Sequence, residues 1–238
     1  MSTAVKTMST HQPKTETTDS GWNSLYVMAA IAALLTVIFI PIAIVVFISW
    51  PPPTTVIDWF TLFQNNKLVA LIDFDLLIVL GNVLSIPITL ALYVALRRVS
   101  PSVMAVALAM GLVAAATYFS SNPVLTMLSL SNQYAAAATE GQRTLLLAAG
   151  QAMLANYQGT TFWVSNALGT VSLLTISIVM LRSDTFGKAI AYVGIVANVL
   201  GLGLFIPSQL GISLSIVGVI GLAIWDIMIA RRFLELGR

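Results

Sequence analysis

The chain contains no cysteine, and its single histidine is His11. Without thiols there is no disulfide, no thiolate-held metal, no cysteine nucleophile and no ordinary thioether attachment of haem. With its one histidine in a polar N-terminal stretch, a histidine-ligated haem or metal inside a helical bundle is excluded as well. No metal site and no cofactor is therefore expected. Charge is scarce too: only 8% of the 238 residues are charged, whereas soluble domains carry roughly 25%. The formal net charge of +2 is too small to point to a nucleic-acid partner. Also absent are HExxH, GxSxG, a Walker loop and a dinucleotide fingerprint. An intramembrane metalloprotease and a nucleotide-driven pump are disfavoured, and the reading leans away from an enzyme altogether.

What the chain does have is apolar sequence: 58% of it is hydrophobic. These residues fall in runs long enough to cross a hydrocarbon core of about 30 Å, which takes roughly 20 helical residues. The expected fold is all-α, a six-helix transmembrane bundle within a single membrane domain at residues 25–238. Residues 1–24, rich in Ser, Thr, Lys and Gln, read as a disordered cytoplasmic tail. The spans are expected at about Tyr26–Trp50, Leu68–Arg97, Val103–Ser120, Thr160–Leu181, Ala189–Pro207 and Ile212–Ala230. Pro41 should kink the first, and Pro51-Pro52-Pro53 should stop it. Residues 54–64 carry Trp59, Phe60 and Phe63 around Asp58 and read as a short helix in the outer interface. Between Pro123 and Tyr157 polar residues interrupt the apolar run. There we expect the ends of neighbouring helices to extend into an extracellular cap.

The basic residues orient the bundle. Lys6, Lys14, Arg97, Arg98, Arg182, Lys188, Arg231, Arg232 and Arg238 fall on one side of the six spans, leaving Lys67 and Arg143 on the other. Cytoplasmic loops carry the excess of Lys and Arg, so both termini are expected in the cytoplasm and the protein in the cell membrane.

Few side chains could carry chemistry. Asp75, Asn82, Thr89 and Tyr93 lie within about 40° of one another on an ideal helix. They form either a wet groove opening outward or a seam of interhelical hydrogen bonds. Asp73 and Asp75, two residues apart, would point about 160° away from each other on such a helix, as acids at the membrane edge. Asp226 shares a face with Gly211, Ser215 and Leu222, close to Gly218, and should turn inward, paired with a nearby arginine. Asn198 follows Ala191 and Gly194 on one face and needs a partner, for which Ser165, Asn166, Thr170 and Ser172 are candidates. Asn166, Asn198 and Asp226 thus read as buried polar packing. In the cap, Tyr134, Glu140 and Arg143 either recognise a polar head group or close the helix ends, with Glu140 and Arg143 spaced to pair at i,i+3.

The patterns Tyr134-Ala135-x-Ala137-x-x-Glu140-x-x-Arg143 and Leu181-Arg182-Ser183-x-x-Phe186-x-Lys188-x-x-Ala191-x-x-Gly194 resemble those of a bacterial multi-pass membrane family, catalogued as a domain of unknown function. The likeness runs from the first helix to the sixth and implies the six-helix fold. It brings no substrate, cofactor or catalytic residue with it. Two roles fit the residues. One is an accessory or structural subunit, packed in the lipid bilayer against other membrane subunits or against copies of itself. The other is a small transporter or sensor that binds a lipid or apolar metabolite in an outward-facing cavity.

Overall fold

The structure is a computed structural model that describes residues 20–157 and 159–238. Most of the expected N-terminal tail, including His11, lies outside the described residues. Ten α-helices follow one another, with no strand among the described residues: α1 Asn23–Ser49, α2 Val56–Asn65, α3 Lys67–Asp73, α4 Leu76–Leu96, α5 Pro101–Ser121, α6 Val124–Ala136, α7 Glu140–Tyr157, α8 Thr160–Met180, α9 Lys188–Gly201 and α10 Gln209–Leu236.

Among the described residues six segments are long and apolar enough to span a membrane: Asn23–Ser49, Leu76–Leu96, Pro101–Ala136, Glu140–Met180, Lys188–Phe205 and Gln209–Leu236. The protein is thus a six-span membrane bundle, as its apolar runs require. The spans pack as α1 on α4, α4 on α5, α5 on α8, α8 on α9, α9 on α10, and α10 back on α1. That circuit is a closed ring. Tyr26 of α1 stacks on Phe233 of α10 with ring centroids 6.0 Å apart. Both ends of the described chain therefore lie at one end of the ring, as an even number of spans demands.

Small residues set the spacing of the ring. The tight seam of α1 is made by Ala29, Ala30, Ala32 and Ala33, all before Pro41; beyond Pro41 only Val46 is buried on this helix. Between α9 and α10 a Cβ added at Gly218 would lie 2.6 Å from the Gly201 nitrogen and 2.9 Å from the Ala197 oxygen. Backbone meets backbone there, so only glycine fits. At Gly194 an added Cβ would meet Ser177 and Trp225 at 2.4 and 2.6 Å, which draws α8, α9 and α10 together. This is the small-residue packing that membranes favour, where apolar side chains gain nothing by leaving lipid. At the end that holds both ends of the described chain, Phe186 packs edge-on to Phe233 and Arg232 donates to the Thr185 carbonyl. The Arg182–Lys188 turn is thereby tied to α10.

At the other end sits a second core of Val56, Trp59, Phe60, Phe63, Ala70, Phe74, Val124, Met127 and Leu154. It joins α2, α3, α6 and α7 into a cap. The segments Pro101–Ala136 and Glu140–Met180 have 36 and 41 residues, more than one crossing needs. Each is broken into two helices; α5 and α8 alone, with 21 residues each, come to about 32 Å at 1.5 Å per residue and match a hydrocarbon core of about 30 Å, which leaves α6 and α7 for the cap. The aromatic face of α2, which the sequence reading laid in the lipid interface, is covered by protein. Trp59 packs edge-on to Phe74 at 4.6 Å, and Phe60 faces Tyr134 at 5.4 Å. Local signals start the cap helices. Thr55 accepts from the Asp58 amide, and Thr139 with Gln142 forms a reciprocal capping box.

Candidate functional site

The expected second span is not one helix. It breaks at Asp73-Phe74-Asp75, where α3 ends and α4 begins. Asp75 takes φ 64° and ψ 24°, a left-handed conformation that Asp and Asn tolerate better than other side chains. This break cancels the 160° separation, which holds only on a continuous helix. Both acids sit just before the span that starts at Leu76 and are buried within the protein, with 3% of Asp73 and 5% of Asp75 exposed.

Each acid has a distinct setting. The Asp75 carboxylate accepts a 3.1 Å hydrogen bond from the Tyr118 hydroxyl of α5 and a short one from the Tyr157 hydroxyl of α7. Burial pushes its carboxyl above the ordinary range, while the two tyrosine donors pull the other way. Asp73 has neither carboxylate oxygen hydrogen-bonded among the described residues. Burial, with the nearby Asp75 charge, lifts it to about 6. Asn122 donates to the Phe74 carbonyl at 3.4 Å, bracing the break between the two acids.

Tyr118 also forms part of the wall of a cavity of about 320 Å³ inside the ring. Five of the six spans line it. Helix α4 contributes Asn82, Ser85 and Thr89; α8 contributes Ser165, Asn166, Thr170 and Ser172; α9 contributes Asn198; α5 and α10 add Gly111 and Leu222. The wall holds no charged side chain. It is polar through hydroxyls and amides alone.

Most of these groups donate back to backbone carbonyls. Asn82 donates to Ile78, Ser85 to Asn82, Thr89 to Ser85, Asn166 to Phe162 and Asn198 to Gly194, each within its own helix. Ser172 instead crosses to α5, donating to the Ala107 carbonyl at 2.6 Å. The expected amide bonds between helices are thus absent at Asn166 and Asn198. Their side-chain carbonyl oxygens receive no hydrogen bond among the described residues, and both residues line the cavity. Carbonyl oxygens and hydroxyl lone pairs consequently make the wall richer in acceptors than in free donors.

The other candidates stand apart. Tyr93 packs against the main core of the ring, although it shares the α4 stripe with Asn82 and Thr89. Asp226 is half-buried and forms no ion pair among the described residues. Glu140 and Arg143 are exposed on α7 and are likewise unpaired with each other, while Tyr134 is held in the cap by Phe60. Among the described residues no three His, Cys, Asp or Glu side chains gather as a metal site.

Sequence reasoning missed Tyr118, Tyr157 and Ser85. Ser85 was legible, three residues after Asn82 and four before Thr89 on one helical face. For the tyrosines the signal was indirect: a buried carboxylate needs donors, and a phenol near the end of a span can supply one.

No curated protein and no solved structure matches the chain. The family model described as Domain of unknown function (DUF4386) matches residues 23–230, from the first turn of α1 into the last turns of α10, and the chain belongs to that family.

Proposed function

We propose that this membrane protein is a small transporter or sensor that binds an uncharged ligand in the cavity within its ring of spans. One observation carries the reading: five spans converge on a cavity of about 320 Å³ walled by hydroxyls and amides. Small-molecule sites run from about 300 to 1,000 Å³ and fix their ligands by a few placed polar groups. Polar side chains serving only as packing glue would meet across the helix interfaces. Here most satisfy their own helix and leave space between them.

The accessory-subunit reading draws on low charge, the lack of catalytic motifs and the many small-residue faces. Those at Gly194, Gly203, Gly211 and Gly218 are taken up within the chain, where an added Cβ would collide with neighbouring residues. Lipid remains the partner of the outer surface, and association with other subunits or with copies of itself stays a separate proposal. We place the protein in the cell membrane with both termini cytoplasmic. The cavity then lies toward the outer, capped end, where Tyr118 links it to Asp75.

The test is gentle extraction from the native membrane followed by native mass spectrometry. A small molecule should be retained in near-stoichiometric amount by the wild type and lost on Thr170→Leu, which puts an apolar branch into the cavity. Retention of the same molecule by Thr170→Leu, or a wild-type protein that carries only annular lipid, would reject the reading. A fixed-stoichiometry protein partner with an empty cavity would favour the accessory subunit instead.

A further inference from the structure

A second hollow lies beside the first. It has a volume of about 390 Å³ and is lined by α1 from Thr36 to Phe47, by α4 from Leu77 to Ser85, and by Val219 of α10. Its walls are apolar except at Thr36, Asn82 and Ser85. It occupies the stretch where α1 packs least, around and beyond Pro41. Pro41 has no N–H to give to the preceding turn, and Phe39, Ile40, Ala43 and Phe47 of this stretch line the hollow instead of closing it.

Ile78, Asn82 and Ser85 line both hollows. The same two polar side chains therefore border an apolar groove on one side and a polar cavity on the other. Gly81, next to Asn82, forms part of the groove wall, and a Cβ added there meets nothing within 4 Å. The groove is thus open where it approaches the polar cavity.

We infer that the ligand is a neutral amphiphile, a lipid whose hydroxyl-bearing head sits in the polar cavity and whose alkyl or isoprenoid tail lies in the α1–α4 groove, entering sideways from the bilayer past Asn82 and Ser85. This rests on the cavity being a ligand site, and it adds the chemistry of the ligand and its route. The absence of charge in the wall selects the head. A phosphate or carboxylate there would be desolvated without a Lys or Arg partner, and an ammonium without a carboxylate, which is strongly unfavourable. The hydrogen-bond inventory selects further. Asn82, Ser85, Thr89, Asn166 and Asn198 have already directed donors to backbone carbonyls. Their oxygens keep lone pairs free, against one remaining N–H on each of the three asparagines, so acceptors outnumber donors and a head that donates fits better than one that only accepts. The apolar groove selects the tail, and the shared residues join the two halves of one molecule.

The experiment uses the full-length protein in detergent with a monoacylglycerol carrying a diazirine in its acyl chain. Crosslinks are mapped by mass spectrometry. They should fall on Thr36–Phe47 and Leu77–Ser85. Unlabelled monoacylglycerol should compete, whereas its di-O-methyl ether, which keeps the oxygens and removes the donors, should compete about tenfold or more weakly, as the loss of one or two hydrogen bonds implies. The fatty acid anion and a lysophospholipid should compete no better than the ether. Gly81→Leu, which fills open space in the groove, should abolish labelling, and Thr170→Leu should abolish it from the cavity side. Loss with Thr170→Leu but not with Gly81→Leu overturns the sideways route and leaves the cavity reading standing. Equal competition by ether and parent overturns the donor-head assignment. Labelling indifferent to Thr170→Leu marks ordinary annular lipid and overturns both readings. Unchanged thermal unfolding of Gly81→Leu guards against a trivial loss of fold.

Discussion

A left-handed residue other than glycine costs roughly 1–2 kcal/mol, so Asp75 is held there by what surrounds it. Its carboxylate takes hydrogen bonds from Tyr118 and Tyr157, and those two bonds span the break between α3 and α4. Backbone and side chain make separable contributions. Asp75→Gly relaxes the backbone and loses the acceptor; Asp75→Ala keeps the strain and loses the acceptor; Asp75→Asn keeps an acceptor oxygen in a residue that tolerates the conformation. Thermal unfolding in detergent should rank them Asn above Gly above Ala, with Ala lower than Gly by about 1 kcal/mol or more. An Ala variant as stable as the Gly variant would show that the left-handed turn is not strained. Asp73 supports a prediction of its own. With its carboxyl lifted from 3.8 to about 6, the folded protein keeps a proton that the unfolded chain has already released between those values. Stability therefore falls as pH rises from about 4 to 6. Asp73→Asn should flatten that slope and unfold at higher temperature than wild type at pH 7, as followed by scanning fluorimetry across the range. A slope unchanged by the substitution would contradict the assignment.

Among the elements, the seam between α9 and α10 is the least forgiving. Gly218→Ala drives a methyl against the backbone of Gly201 and Ala197, and a backbone cannot rotate away as a side chain can. Overpacking of this kind costs about 1–3 kcal/mol, so the variant should unfold at lower temperature, while Gly81→Ala, facing open space, should match wild type. Equal unfolding temperatures for the two would mean that the seam is looser than its distances. The elements also show where sequence reading succeeds. The spans were legible as apolar runs, several of them marked by basic residues at one end, as with Leu96-Arg97 and Leu181-Arg182. The split of the second span was not. Leu68 to Leu96 is apolar throughout except for acids and small polar residues, and no Pro or Gly marks the break at Phe74. It is dictated by Tyr118 and Tyr157, far away in the chain. For the same reason the α4 stripe put Asn82 and Thr89, which line the cavity, on one face but could not tell a groove from a seam. Hydroxyls and amides have the same spacing in both, and only the neighbouring helices decide whether space is left between them. Tyr93 shows the limit, since its place on the stripe did not bring it to the cavity.

At the scale of the whole molecule, the capped end and the end bearing the termini should face opposite solutions. The chain has no cysteine of its own, so single replacements report topology directly. Cysteine at exposed Gly141, beside the cap, should react with an impermeant maleimide in intact cells, whereas cysteine at exposed Asp184 or Glu235 should react only after permeabilisation. Labelling of Asp184 from outside would invert the bundle.

Closure of the ring has a bearing on biogenesis. The first span emerges from the ribosome long before its final neighbour, α10, has been synthesised. Until then α1 has only α4 beside it among the spans, and α9 has only α8, so that Gly194 is met by Ser177 but not yet by Trp225. The cavity lacks Leu222 over the same interval. Membrane insertion of five spans therefore yields an open arc rather than a smaller version of the protein.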